Sequence, residues 1–257
     1  MALAPINKLN ETLEMLTSRI DDGCDLDVFT FNRVVSSARK IPDEPLKLML
    51  LALAHGAAGK HDDAVNFFKQ AVVYRDEIIA RNYLSYLSHT GQYELYREEA
   101  VRLAKEIVSK TLSIRARNAT YADGDSELSL FFARKALSMV GDDRERAIME
   151  REVMNRTQAL DRFVEVTRLS TAEISTLTRA VVNVAKKHDV LAVSHDYYTG
   201  SDGDAGIICD IFCEDADLIS DMDIEVATEL AMNEMFADKN ITAWFRGRNR
   251  QEIKETL

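Results

Sequence analysis

The residues best suited to chemistry lie beyond position 187 of the 257-residue chain. His188, His195, Cys209 and Cys213 fall within an acidic stretch, a mixture that invites a metal ion. Asp202-Gly203-Asp204 resembles the start of a calcium loop, but the alternating third oxygen ligand and the distant bidentate glutamate are missing. Cys209 and Cys213 share a strand face with Ile207 and Ile211 and read as small core hydrophobes. Zinc cysteines sit instead on a turn and come with a second pair. Asp196 and Asp210 on facing strands, with His195 beside them, would suit acid–base work in a metal-dependent enzyme. No nucleophile elbow, glycine-rich phosphate loop or two-histidine zinc helix accompanies them. No catalytic residue, metal ligand or cofactor is therefore assigned, and an enzyme remains the alternative reading.

Charge narrows the partners. The net charge is −11, from 32 basic and 43 acidic residues. Residues 1–188 are neutral, with 27 of each sign, whereas residues 189–238 hold 14 acids and no Lys or Arg. A field of that sign repels phosphate backbones, so direct nucleic-acid binding is not expected. Glu214, Asp215 and Asp217 suit the start of a helix, where negative charge favours the macrodipole. Asp221, Asp223 and Glu225 continue along it with no lysine nearby in sequence and form an acidic face suited to a basic protein surface. An acidic inhibitor imitating nucleic-acid charge is a further alternative. The basic tail Arg246-Gly247-Arg248-Asn249-Arg250 is available to fold back onto these acids or to contact a partner separately.

The positioning elements are mostly helices. All three prolines lie in the first 45 residues, and only five glycines occur from 46 to 199. Gly59, Gly91 and Gly124 recur at intervals of 32 and 33, each followed by polar residues and an amphipathic run; Gly23 opens a looser version. A period near 33 with two helices per unit is the mark of a helical solenoid, in which hairpins stack to share a core that none could bury alone. Ala64 and Ala71 permit close helix approach and Phe68 fills the space between.

On Gly59, Ala64, Phe68 and Ala71 in the first good unit, and on Gly91, Tyr93, Gly124 and Ala136 in the next two, the chain resembles the tetratricopeptide repeat family over about residues 44–140. The family's usual Trp and terminal Pro are absent, and Tyr96 and Ser129 stand where its Ala belongs. The resemblance implies a groove lined by the first helices that takes a peptide or helix. Some members grip an acidic peptide end with Asn and basic residues, and those places correspond to Asn82 and Arg115, with Arg81 and Asn118 alongside. Met49 and Leu53 occupy the matching places of the first unit, which implies a mixed apolar and polar groove.

A long helix over 142–168 leads out of the repeats, and Ser170-Thr171-Ala172-Glu173 is a capping box that starts another. Strand-like residues 190–198 and 207–213 flank a loop with three glycines and predict a hairpin. A helix over 217–237 and a third strand over 241–246 follow. The expected architecture is mainly α: helical-hairpin repeats over 1–168, then a small acidic α+β domain over 169–257 in the order α-β-β-α-β with a three-stranded sheet. One sheet face, with Ser194, Asp196, Ile208, Asp210 and Phe212, is half apolar and half charged and needs a cover or a partner. The functional expectation is a non-enzymatic adaptor, chaperone-like or regulatory protein that binds another protein or peptide. Its C-terminal domain would dimerise or dock a basic partner. Three cysteines cannot form a disulfide framework, no apolar run is long enough for a membrane span, and the opening residues lack a secretion signal. A cytoplasmic protein without membrane association is expected.

Overall fold

Three glycine turns organise the helical part of the chain. Gly59, Gly91 and Gly124 take left-handed backbones with φ of +69°, +65° and +74°, a conformation in which a Cβ would crowd the following carbonyl. At each, the amide after the glycine reaches a carbonyl five residues back: Lys60 to His55, Gln92 to Leu87 and Asp125 to Thr120, at 2.9–3.0 Å. This Schellman closure ends the first helix of a pair and starts the second. The computed structural model in which these turns are seen describes residues 3–23 and 26–249, with side chains from Leu9 onward. Cys24 and Arg250 lie outside the described residues.

The chain divides into two compact units, 1–108 and 109–257. In the first, α1 (Leu3–Asp21) and α2 (Val28–Ala38) pack against α3 (Glu44–Ala57), which pairs with α4 (His61–Ala71). A 3-10 turn, Val72–Tyr74, leads to the pair α5 (Glu77–His89) and α6 (Tyr93–Glu106), and α5 packs beside both α3 and α4. Phe68 of α4 stacks on Tyr83 of α5 at 5.1 Å and tilts against Tyr86 at 5.4 Å, so one buried aromatic joins the two hairpins. Gly56 makes room for that stack: a Cβ there would stand 2.5 Å from the Tyr86 ring.

The second unit opens with the same hairpin device, α7 (Lys110–Ala122) and α8 (Ser126–Leu137). Counted from each turn glycine, positions nine and twelve are buried in all three hairpins: Phe68 and Ala71, Ala100 and Leu103, Ala133 and Ala136. Position five is buried only at Ala64, while Tyr96 and Ser129 are half-buried. The helical repeats are thus regular in their turns and less so in their packing.

Helices α9 (Asp143–Thr167) and α10 (Thr171–Lys187), strands β1 (Ala192–Thr199) and β2 (Ala205–Ile211), helix α11 (Ala216–Met232) and strand β3 (Ile241–Gly247) complete this unit. The capping box at Ser170 and Glu173 is present in both directions. Composition shifts near residue 168, but the packing division falls at 108/109. Tyr197 of β1 explains it: its ring meets Tyr121 of α7 at 5.1 Å and Phe163 of α9 at 4.9 Å, and its hydroxyl donates to the Tyr121 and Ala122 carbonyls.

The sheet runs in the order β1-β2-β3, with β1 and β2 antiparallel and β2 and β3 parallel. The α-β-β-α-β order stands as expected. Helix α11 is shorter than the expected 217–237 because Asn233 adopts an extended backbone and its side chain accepts the Met235 amide. Such a local bond competes with helix continuation.

Candidate protein-binding surface

Period-two alternation gives the sheet two unlike faces. Register places His195, Tyr197, Ile207, Cys209, Ala243 and Phe245 on one side, all buried. Helices α9, α10 and α11 pack against the sheet. The other side carries Ser194, Asp196, Tyr198, Gly206, Ile208, Asp210, Trp244 and Arg246. Tyr198 is 47 % exposed and Ile208 and Trp244 are half-buried.

This open face is built in two parts. At one end Trp244, from β3, meets Tyr198, from β1, in an edge-on pair at 5.6 Å that spans the central strand. Gly206 of β2 permits the crossing, since a Cβ there would lie 2.6 Å from the Trp244 ring. At the other end Asp210 accepts from Arg246 Nε at 2.6 Å, Arg248 Nε at 3.2 Å and Ser194 Oγ at 2.8 Å, and Arg246 also bridges to Asp196 at 3.3 Å. Burial pushes the Asp210 carboxyl up, but the bonds from Arg246 and Ser194 outweigh it and hold the group below the usual carboxylate range. A general acid needs the opposite shift.

The histidine and the two carboxylates weighed for acid–base chemistry therefore do not converge. His195 lies on the buried side, opposite Asp196 and Asp210, with its Nε2 unpartnered. Burial pushes its pKa down to about 4, so the ring is neutral at pH 7. Cys209 lies beside it with its thiol pushed above its ordinary range by burial. Among the described residues no group of three or more His, Cys, Asp or Glu is placed to hold a metal ion.

On α11 the acids have different tasks. Asp223 accepts the Phe245 amide at 2.7 Å and so blunts the outer edge of β3, which would otherwise offer a free donor to another strand. Glu225 accepts from Lys187 and from His188 Nε2, each at 2.8 Å, and Glu229 accepts from the same lysine. Two of these acids thus have the lysine partner that the local sequence lacks; it comes from α10, some forty residues upstream. Asp221 is exposed and without an ion pair among the described residues. Among the described residues of the basic tail, Arg246 and Arg248 turn to Asp210 on the sheet.

Of the helical positions, Arg81 and Asn82 lie on α5 in the first unit and Arg115 and Asn118 on α7 in the second. Asn82 donates to the Ile78 carbonyl one turn back, which lays the amide along its own helix. The Asn118 oxygen accepts from Arg117 at 2.8 and 3.1 Å and from Arg156 at 3.2 Å. Arg117 is buried and paired with Glu152 at 2.9 Å, while its Nη1 is buried without a partner. The repeat pattern of the sequence does not single out Arg117, although its place relative to the turn glycine is where Ala52 and Leu84 are buried in the earlier hairpins. A charge at a core position was the available signal.

Comparison with known proteins finds no matching family model, no similar curated protein and no similar solved structure. No helix is long and apolar enough to cross a membrane among the described residues.

Proposed function

We propose that the chain is a non-enzymatic protein-interaction protein, an adaptor, chaperone-like or regulatory component acting in the cytoplasm, whose principal docking surface is the open face of the sheet. The observation that carries this reading is the contrast across the sheet: a Tyr198–Trp244 pair beside an Asp210–Arg246 network, presented opposite a face that is fully buried. Aromatic and arginine side chains at the centre of a patch are what protein interfaces favour energetically. The helical repeats add further contact positions, read on the resemblance to tetratricopeptide repeats: Arg81 and Asn82 in the first unit and, separately, Arg115 and Asn118 in the second, each pair suited to a peptide or helix. Asp221 on α11 suits a basic partner surface.

The test is affinity capture with the full chain, comparing the native protein with Tyr198→Glu, Trp244→Glu and Arg115→Glu. Both sheet variants are expected to lose the same captured protein while their circular dichroism is unchanged, and Arg115→Glu to weaken its capture. Capture that is indifferent to both sheet variants refutes the reading.

A further inference from the structure

A second surface, in the first unit and independent of the sheet, gathers positive charge around a groove. A groove of about 440 Å³ lies between α2, α3 and the turn that starts α4, lined by Phe31, Asn32, Val35, Ser36, Arg39, Lys40, His55 and Lys60. The size is that of a small-molecule site. Asn32 and Ser36 lie one turn apart on α2, and Arg39 and Lys40 follow in the turn that ends it, two neutral donors and then two cations. Lys60 comes from the Gly59 turn, where its amide bond to the His55 carbonyl fixes its backbone, and its ammonium lies 4.2 Å from the centre of the Phe31 ring.

Three cations therefore face one opening, and among the described residues no carboxylate lines it and none pairs with Arg39, Lys40 or Lys60. Asp63, beside the lining residue His55, is engaged with its Nδ1 at 3.1 Å. Burial lowers the His55 pKa more than Asp63 raises it. That ring sits between Phe31 at 5.1 Å and Phe67 at 5.0 Å and forms an aromatic floor. The carbonyl end of α2 contributes an adverse partial charge of about half a unit, less than the three full positive charges. Like charges held together without counter-charges repel, and a dianion relieves that repulsion.

We infer that this groove binds a phosphate monoester. Arg39, Lys40 and Lys60 would surround the phosphoryl oxygens, Asn32 and Ser36 would donate to them, and the Phe31–Val35 side would take the attached organic group. A monoester suits the site better than bare phosphate because Phe31, Val35 and His55 give the lining an apolar and aromatic side. The same chemistry arises from a phosphorylated small molecule or from a phosphorylated side chain of a peptide.

Isothermal titration of the full chain at low salt with phenyl phosphate, a phosphoserine peptide and its unphosphorylated form tests this. Phenyl phosphate and the phosphopeptide are expected to bind with a Kd of about 1 mM or tighter, weakening as salt rises. Lys60→Gln and the double variant Arg39→Gln/Lys40→Gln are each expected to lose about tenfold, while Lys69→Gln, exposed elsewhere on α4, retains native affinity. A phosphopeptide about tenfold tighter than phenyl phosphate identifies a protein-borne phosphate, and equal affinities identify a small molecule. Amide chemical shifts that move at Asn32 on titration locate the site without any variant. The inference is overturned if neither phosphate binds, if the unphosphorylated peptide binds equally, or if the groove variants behave as the native chain.

Discussion

The two faces of the sheet share three strands and one hydrogen-bonded ladder, yet they have opposite physical characters. On the side of His195, Tyr197, Ile207, Cys209 and Phe245, every side chain is buried and even a histidine is held neutral. On the side of Tyr198, Ile208, Trp244 and Arg246, the chain keeps large rings half in solvent and stores an acid–arginine network among them. Folding alone accounts for the first face but not for the second. A three-stranded sheet needs one hydrophobic cover for stability, and α9, α10 and α11 supply it.

Substitutions at adjacent residues sharpen that contrast. The largest effect is expected at Ile207, fully buried, where Ile207→Ala should cost about 2–5 kcal/mol in denaturant unfolding. Its neighbour Ile208→Ala should cost about 1 kcal/mol or less, because the side chain is half-exposed. Equal losses would erase the distinction between the faces.

Next is the pH response of the buried face. Between about pH 6.5 and pH 4 the unfolded chain binds a proton on His195 that the folded chain does not, since its folded pKa is about 4. Stability therefore falls as pH drops through that window, by about 3 kcal/mol at this site. His195→Leu should flatten the unfolding profile over those pH values; a slope equal to the native one would contradict the neutral buried ring.

A smaller effect is expected from the network on the open face. Arg246→Leu removes the main partner of a carboxylate that is 8 % exposed, at a cost of about 1–2 kcal/mol given that Arg248 and Ser194 remain. The depressed pKa of Asp210 gives stability that is present above the ordinary carboxylate pKa and lost as pH falls through the folded value. Acid unfolding of Arg246→Leu should therefore lose part of that limb, and Arg246→Leu/Asp210→Asn should recover stability at neutral pH. The smallest effect on stability belongs to Tyr198→Glu, within about 0.5 kcal/mol by thermal melting, although partner capture is lost.

What the sequence disclosed followed the range of the interactions involved. The turn at Gly124 depends on six consecutive residues, Thr120 to Asp125, and the capping box on four, Ser170 to Glu173, so both were readable. The β1–β2 hairpin joins neighbours across one loop and was readable too. Parallel pairing of β3 on β2, the Asp223 bond to Phe245 and the Lys187 pairs with Glu225 and Glu229 link residues 22 to 42 apart. Charge counting along the chain saw unpaired acids there because the partner helix was out of view. Periodicity along the chain places Trp244 and Tyr198 in strands only; that they meet depends on Gly206 standing between them on the middle strand.

Hydroxyl-radical footprinting of the full chain, alone and with its captured partner, tests the docking surface most directly. Tyr74, on the first unit, is 52 % exposed against 47 % for Tyr198 and serves as the internal reference. With partner bound, labelling of Tyr198 and Trp244 should fall severalfold while Tyr74 is unchanged. Undiminished labelling of both sheet residues in the complex would show that the partner docks elsewhere.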